Sequence, residues 1–290
     1  MDSRFRGIIF MIGSSLGFSL MSAAAKYTSA VPLGEKLFVR NFAAFVLVLL
    51  LILKDRETLK GNNIKMLTAR AVVGFLAGLC YFYAVNYLPL GDATLLNKTS
   101  PILVIILSTL FLGEKLKKHH LPVVILGLAG AALVLKPGFQ YNLVPAVLAL
   151  VSALLAGISY TIIRHLRTTD SPNIILLYYS GISVLGTIPM IFLGGFSIPT
   201  ATEMAGLLFM GLFTAMSQLC LNFAYRYAGA GDLSVFDYST IIFSIILGLV
   251  AWGETPDVFS LAGSILIIAA GIVNYRFNRE AEGPSVVGSS

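Results

Sequence analysis

Apolar runs of about twenty residues recur along the whole chain, separated by short polar breaks or breaks that contain Gly or Pro. About twenty apolar residues in a helix cross the roughly 30 Å hydrocarbon core of a bilayer. Only 12% of the residues are charged, whereas a soluble domain carries about 25%. The sequence therefore predicts an all-α polytopic membrane protein embedded in the lipid bilayer, with no soluble domain between its spans.

Ten transmembrane helices are predicted from these runs. Their boundaries are 6–26, 34–53, 67–87, 93–112, 120–136, 143–164, 172–194, 203–226, 231–252 and 258–277. With the N-terminus inside, fifteen of the 20 Lys and Arg residues, Arg70 among them, fall on the cytoplasmic side. Basic residues collect in cytoplasmic loops, so the pattern predicts an inner-membrane protein with both termini cytoplasmic. The polar segment 279–290 is predicted to be a disordered tail.

The sequence partly repeats itself after 140 residues. Between 79–114 and 219–254, twelve of thirty-six positions are identical without a gap. They include Gly-Asp and Gly-Glu pairs that bracket the fourth and ninth spans, at 91–92 with 231–232 and at 113–114 with 253–254. Because five spans per repeat is an odd number, the halves 1–138 and 139–278 must enter the membrane in opposite orientations. Such inverted repeats are a recurring transporter architecture.

Two stretches carry a family resemblance, "YFYAVNYLPLGDATLLNKTSPILVIILSTLFLGEKL" and "NFAYRYAGAGDLSVFDYSTIIFSIILGLVAWGETPD". The chain resembles the EamA-type ten-helix transporters of the drug/metabolite transporter superfamily over nearly its whole length. Arg40, in "LFVRNFAA", matches a position where such proteins often carry an arginine. The resemblance implies a central cavity between the halves, with the fifth and tenth spans peripheral. Pro101 departs from the symmetry because Ile241 stands at its repeat position, so the two halves need not bend alike.

Charged residues inside the spans are few and are candidates to face a wet cavity. Lys98 lies about 9 Å past Asp92 along the fourth span, and Asp237 about 7.5 Å past Asp232 along the ninth. In a core of about 30 Å the two would then be about 13 Å apart along the membrane normal, which argues against a direct salt bridge. Lys98 and Pro101 both fit a span that faces water, because backbone that lines a cavity tolerates a proline break.

We expect Lys98 and Arg40 to attract a carboxylate or another anionic group of a substrate. The alternative for Lys26 and Arg40 is structural, since each could extend outward or pair with Glu35 or Asp92. The full set of candidate substrate-binding residues is Lys98, Arg40, Asn97, Gln218, Asn222, Asp237, Tyr238, Ser19 and Tyr81.

Other polar, aromatic and glycine positions have two interpretations. The serines of the first span and the amides Gln218 and Asn222 could bind a metabolite or join helices by hydrogen bonds. Aromatic residues could line the path or pack in the core, and these are Tyr81, Tyr83, Tyr160, Tyr178 and Phe236. The glycine pairs 13/17 and 74/78 predict close approach of helices. The glutamates at 114 and 254 are expected to form capping or gating hydrogen bonds.

The predicted function is a secondary transporter or facilitator of a small organic metabolite, with an amino acid or related carboxylate favoured. Export of a nucleoside-type or cationic drug-like compound is the alternative, and a non-transporting receptor or membrane enzyme is a third. An enzyme is disfavoured because Asp237 is the one deep carboxylate in the predicted spans. No cofactor, metal site or nucleic-acid partner is expected. The sequence leaves a homodimer, the direction of transport and the coupling ion open.

Overall fold

The computed structural model of the protein describes residues 3–100, 102–103, 120–134, 143–194, 197–228 and 230–281. Within them it forms helices α1 Ser3–Tyr27, α2 Leu33–Asp55, α3 Ile64–Tyr87, α4 Leu90–Asn97, α5 His120–Val134, α6 Leu143–Leu166, α7 Pro172–Gly194, α8 Ala201–Tyr227, α9 Ala230–Asp237, α10 Ser239–Trp252 and α11 Val258–Ala281. Predictions about Pro101, Glu114 and most of the C-terminal tail lie outside the described residues.

Eight of the described segments are long and apolar enough to cross a membrane, and Leu121–Val134 is a shorter apolar helix. One of the eight, Val235–Trp252, includes the end of α9 and all of α10. The described part of the chain thus confirms the predicted all-α polytopic membrane fold. The helices begin at the polar breaks seen in the sequence. Asn63, for example, precedes α3 and its side chain accepts a hydrogen bond from the amide of Met66 at 3.2 Å, as an N-cap residue does.

Helix packing in the described chain is symmetric between the two halves. The first helix of each half packs on the third helix of the other, because α1 contacts α8 and α6 contacts α3. The second helices, α2 and α7, pack on each other, and so do α5 and α11. This pairing is what a two-fold axis relating the two halves produces.

Hydrogen bonds between helix ends show that the halves are inverted. Ser3, at the start of α1, donates to the carbonyl of Tyr227 at the end of α8. Arg167, just after α6, donates to the carbonyl of Tyr225, also at the end of α8. The start of α1 and the end of α6 therefore lie on the same face. Because α1 and α6 are the first helices of their halves, the two halves run through the membrane in opposite directions.

The fourth and ninth spans are both broken, and at equivalent residues. Helix α4 covers Leu90–Asn97 and α9 covers Ala230–Asp237, which coincide under the 140-residue shift. At the first break the hydroxyl of Thr99 donates to the carbonyl of Leu96 at 2.7 Å. At the second, Ser239 donates to Phe236, also at 2.7 Å. A hydroxyl that takes up a helix carbonyl competes with the backbone ladder, so both halves break even though position 241 is not a proline.

Candidate functional site

A small cavity lies between the two halves. Seven helices line it, four from the first half and three from the second. The lining residues include Phe18, Arg40, Arg70, Gly74, Gly78, Tyr81, Asn97, Ser159, Tyr160, Tyr179, Thr214 and Gln218. No described residue of α5 or α11 is among the lining residues, in keeping with the peripheral position that the family resemblance implies. The cavity has a volume of about 50 Å³, enough for a few water molecules. This conformation is therefore contracted around the site.

Arg40 reaches this cavity from α2, as the sequence predicted, and is only 2% exposed. One of its terminal nitrogens, Nη2, donates to Asn41 Oδ1 at 2.8 Å and to the hydroxyl of Tyr179 at 3.3 Å. The guanidinium also lies over the ring of Phe82, 4.7 Å from its centroid. Its Nε is buried and has no hydrogen-bond partner in the described part of the chain. The alternative pairing with Glu35 or Asp92 is not formed among the described residues, and the charge of Arg40 faces only neutral groups there.

Arg70 is the second arginine of the site, and the sequence interpretation of it was wrong. It was counted among the cytoplasmic loop charges, yet it is 2% exposed inside the protein. Its Nη2 donates to Oε1 of Gln218 at 2.7 Å, and its guanidinium carbon lies 4.1 Å from the ring centroid of Tyr179. Both Nε and Nη1 are buried without a hydrogen-bond partner among the described residues.

A signal for Arg70 was present in the sequence. Helix α3 begins at Ile64, so Arg70 lies about two helical turns inside it. It also precedes Gly74 by four residues, and residues so spaced share one face of a helix. An arginine two turns inside an apolar helix and above a glycine is better interpreted as a buried group than as a loop charge.

Of the two glycines on α3, Gly74 makes room for a guanidinium group, and Gly78 lies beside the other one. A Cβ atom at Gly74 would collide with Nη1 of Arg70, and one at Gly78 would lie 3.7 Å from Nη2 of Arg40. Since these glycines are one helical turn apart, the two arginines are spaced by roughly 5 Å along α3. The pair 13/17 behaves as predicted, because Gly17 packs closely on Ser217 of α8. The pair 74/78 instead borders the cavity.

The two helix breaks meet in a salt bridge, which corrects the prediction that Lys98 and Asp237 are too far apart. Lys98 Nζ lies 2.6 Å from Asp237 Oδ1. The estimate failed because it placed Asp92 at the membrane surface. Asp92 is only 5% exposed and accepts a hydrogen bond from Ser260 at 2.6 Å, so it does not mark the surface. The estimate of the distance between Lys98 and Asp237 also ignored the length of the lysine side chain. Lys98 thus has a carboxylate partner inside the protein, unlike Arg40 and Arg70.

A chain of hydroxyl groups forms the wall of the cavity next to Tyr81. Tyr81 hydrogen-bonds to Ser22 at 2.9 Å and to Thr94 at 3.2 Å. From Thr94 the chain continues to Ser244 at 3.1 Å and then to Ser19 at 3.2 Å. All five residues are buried, and they join α1, α3, α4 and α10. Among the predicted site residues, Tyr81 therefore lines the cavity, whereas Ser19 lies one layer behind it.

The remaining predicted residues fall into two groups. Asn97 lines the cavity, donating to Ser152 at 2.8 Å, and Gln218 lines it while accepting from Arg70. Asn222 lies outside it and donates to the carbonyl of Pro172 at 3.2 Å, and Tyr238 lies against Gly271 of α11. The predicted aromatics Tyr81 and Tyr160 line the cavity. On α7, however, the lining residue is Tyr179 rather than its neighbour Tyr178.

One face of the protein, here called the Glu254 face, is closed by an ion pair. Gly253 adopts a left-handed conformation with φ +66° and ends α10, which is the usual role of glycine at a helix C-terminus. Glu254 then forms a salt bridge with Lys26 at the end of α1 and accepts a hydrogen bond at 3.0 Å from the amide of Leu90, the first residue of α4. Lys26 also donates to the carbonyl of Leu88 at 3.1 Å. The alternative pairing of Lys26 with Glu35 or Asp92 is therefore not what forms.

Comparison with known proteins identifies the family. The EamA-like transporter family matches residues 5–136 and 143–276, which is nearly the whole chain in two copies. The chain belongs to the EamA-like transporter family. It is 33% identical over 274 residues to the pseudopaline exporter CntI of Pseudomonas aeruginosa (strain UCBPP-PA14), covering 93% of this chain and 96% of that relative. It is 26% identical over 280 residues to a riboflavin transporter of Rhizobium johnstonii, covering 93% and 91%.

A solved crystal structure agrees with this fold at a TM-score of 0.68, covering 96% of this chain and 99% of the other, with 17% sequence identity. That similarity bears on the fold alone. As an EamA-like member of the drug/metabolite transporter superfamily, the protein is a multi-pass membrane transporter of a small molecule. The predicted family and fold class are confirmed.

Proposed function

We propose that this transporter carries an amino acid or a related small organic carboxylate across the inner membrane of the cell. In this proposal both termini of the protein are cytoplasmic. The observation that supports this substrate class is the pair Arg40 and Arg70. Both line the central cavity, both are 2% exposed, and neither has a carboxylate partner among the described residues.

The physical reason is charge balance in a low-dielectric interior. A buried charge without a counter-charge is costly, and an ionised group within a membrane span usually marks a functional site. An anionic substrate would supply the missing charge. The planar guanidinium fork binds a carboxylate with two parallel hydrogen bonds. In Arg70 either fork combines Nη2, which donates to Gln218, with a buried Nε or Nη1 that has no partner among the described residues. We therefore assign the role expected for Lys98 and Arg40 to Arg70 and Arg40.

Alternating access is the mechanism that fits the inverted halves. The cavity of about 50 Å³ has room for a few water molecules in this conformation, so we infer that the site expands to load and release its cargo. Inverted repeats allow one arrangement of helices to open in turn to either side. The names of the relatives, a pseudopaline exporter and a riboflavin transporter, support a small organic cargo and differ in the compound.

The test is a thermal-shift screen of the purified protein against carboxylic acids and their matched amides. A ligand at 100 times its dissociation constant stabilises a protein by about 2.7 kcal/mol, so binders raise the melting temperature measurably. We expect acids to stabilise the wild type and their amides to have little effect. Arg40→Gln and Arg70→Gln should each abolish the difference between acid and amide.

The matched control is the double variant Lys98→Met with Asp237→Leu, which removes a buried ion pair next to the cavity and should keep the preference for acids. If amides stabilise the wild type as well as acids do, or if only cationic compounds stabilise it, the carboxylate assignment is wrong. The second result would favour the cationic drug-like alternative.

A further inference from the structure

Arg70 does more than face the cavity, because its hydrogen bond to Gln218 joins two separate walls. Helix α3, which carries Arg70, packs on α6 and α7, whereas α8, which carries Gln218, packs on α1 and α2. The 2.7 Å bond from Arg70 Nη2 to Gln218 Oε1 crosses the space between these walls. It therefore helps to hold the cavity in its contracted form.

The same guanidinium is only partly satisfied. Gln218 is neutral and occupies one nitrogen, while Nε and Nη1 are buried without a hydrogen-bond partner in the described chain. Nη1 packs directly against the backbone of α3, because α3 has Gly74 at that point. A Cβ there would collide with Nη1 and lie 3.1 Å from Cε2 of Tyr179 and 3.3 Å from Oγ of Ser159. Arg70, Tyr179 and Ser159 thus converge on one position beside the glycine.

We propose that Arg70 and Gln218 form a latch that the carboxylate of the substrate opens by replacing the amide oxygen of Gln218 on the guanidinium. This inference rests on the proposed function. The bond from Arg70 to Gln218 has one charged partner, whereas a bond from the guanidinium to a carboxylate has two, and a carboxylate can occupy two guanidinium nitrogens at once. Occupation of Arg70 by the cargo therefore competes with closure of the α3 and α8 walls.

The latch explains how binding is linked to movement. A ligand shifts a conformational equilibrium only by its differential affinity for the two states. A carboxylate binds the state in which Gln218 has released Arg70 better than the state in which the bond is intact. The empty protein keeps its walls joined, and the loaded protein is free to separate them.

A carboxylate built into the cavity tests the latch without knowledge of the natural cargo. Ser159 lies on α6, lines the cavity and is 3% exposed, so Ser159→Asp places a carboxylate beside Arg70. Ser159→Asn has the same size without the charge and is the matched control. The reporter is Thr214→Cys, at a position that lies one turn from Gln218 on α8 and lines the cavity, in a background where Cys80 and Cys220 are replaced by Ala.

The measurement is the rate at which a membrane-impermeant maleimide labels the reporter thiol introduced at position 214, from either side of oriented proteoliposomes. We expect Ser159→Asp to raise the rate by about tenfold over Ser159→Asn, the factor that corresponds to losing a hydrogen bond to a charged group. A nearby carboxylate lowers the reactivity of a thiol, so direct electrostatics would change the rate in the opposite direction. Equal rates in the two variants would overturn the proposal.

Substitutions of Gln218 give a second measurement. Gln218→Ala removes the latch and should raise the labelling rate of the reporter thiol. Gln218→Glu gives Arg70 a permanent carboxylate partner, so its labelling rate should fall below that of the reporter protein with Gln218 intact. Asn222→Ala, one turn further along α8 and bonded to Pro172 instead, should leave it unchanged. The latch is excluded if Gln218→Ala leaves the labelling rate unchanged or if Asn222→Ala changes the rate equally. The proposed function is tested separately, because the preference for acids over amides can hold even where these rates show no latch.

Discussion

Removing either member of the Lys98–Asp237 pair should destabilise the protein, and removing both should not. The ammonium and carboxylate atoms are 2.6 Å apart, and the side chains are 6% and 23% exposed respectively. Taking one partner from a fully buried ion pair costs about 3–5 kcal/mol, because the other charge is left without compensation. Since water reaches about a quarter of the Asp237 side chain, we expect about 2–3 kcal/mol for Asp237→Leu, in the range of a hydrogen bond to a charged group.

The cost should be unequal between the two single variants. Lys98→Met leaves Asp237, which is more exposed than Lys98 and so keeps more of its contact with water. We expect about 1–2 kcal/mol for this variant, less than for Asp237→Leu. The double variant replaces the pair by apolar groups of similar size, so it should lie within about 1 kcal/mol of the wild type.

The assay is reversible unfolding in mixed detergent and lipid micelles, followed by tyrosine and tryptophan fluorescence, for the wild type and the three variants. The coupling energy between the two sites, from the double-mutant cycle, should be about 3–5 kcal/mol, because the single effects sum to that and the double variant lies close to the wild type. If the two single effects simply add in the double variant, or if Asp237→Leu is harmless, Lys98 and Asp237 do not form a pair in the folded protein. The explanation of how the two helix breaks are held together would then be wrong.

Three further substitutions test other parts of the structure. Gly74→Ala should destabilise the protein by about 1–3 kcal/mol through overpacking against Arg70. The control Gly78→Ala, whose new Cβ meets nothing nearer than 3.7 Å, should stabilise the protein by up to about 1 kcal/mol. Equal melting temperatures of the two variants would contradict this difference. Tyr81→Phe removes the hydroxyl that joins Ser22 to Thr94 and should lower the free energy of chemical unfolding by about 1 kcal/mol. A variant as stable as the wild type would show that the hydroxyl chain does not contribute to stability. Glu254→Ala should speed hydrogen exchange in the segment 88–97, because it frees the amide of Leu90. The control Glu203→Ala, which removes a local helix cap at Thr200, should leave exchange in that segment unchanged. Similar exchange in both variants would show that Glu254 does not hold the start of α4.

The fold was largely predictable because its determinants are periodic or repeated. Twenty-residue apolar runs specify the spans, and the shared Gly-Asp pair marks the equivalent starts of α4 and α9. Arg40 was also predictable as a cavity residue, since an arginine about two turns inside an apolar span is a candidate to face a wet cavity. These features depend on local sequence and on the solvent that the segment meets.

The details of the site depended on information that the sequence does not carry. Depth along the membrane was estimated from Asp92 as a surface residue, whereas Asp92 is buried and Lys98 reaches Asp237. Arg70 was assigned by its distance from a loop, whereas the direction of its side chain is set by Gly74 and by Tyr179 on another helix. Contacts between helices far apart in sequence place both guanidinium groups on the cavity.

The most direct measurement of the central claim is a cryo-electron microscopy map of the protein with the acid that stabilises it most in the screen. We predict density for the carboxylate between Arg40 and Arg70, within about 2.9 Å of guanidinium nitrogens, together with a broken bond between Arg70 and Gln218. Density for the acid beside Lys98, with both guanidinium groups unchanged, would contradict the claim.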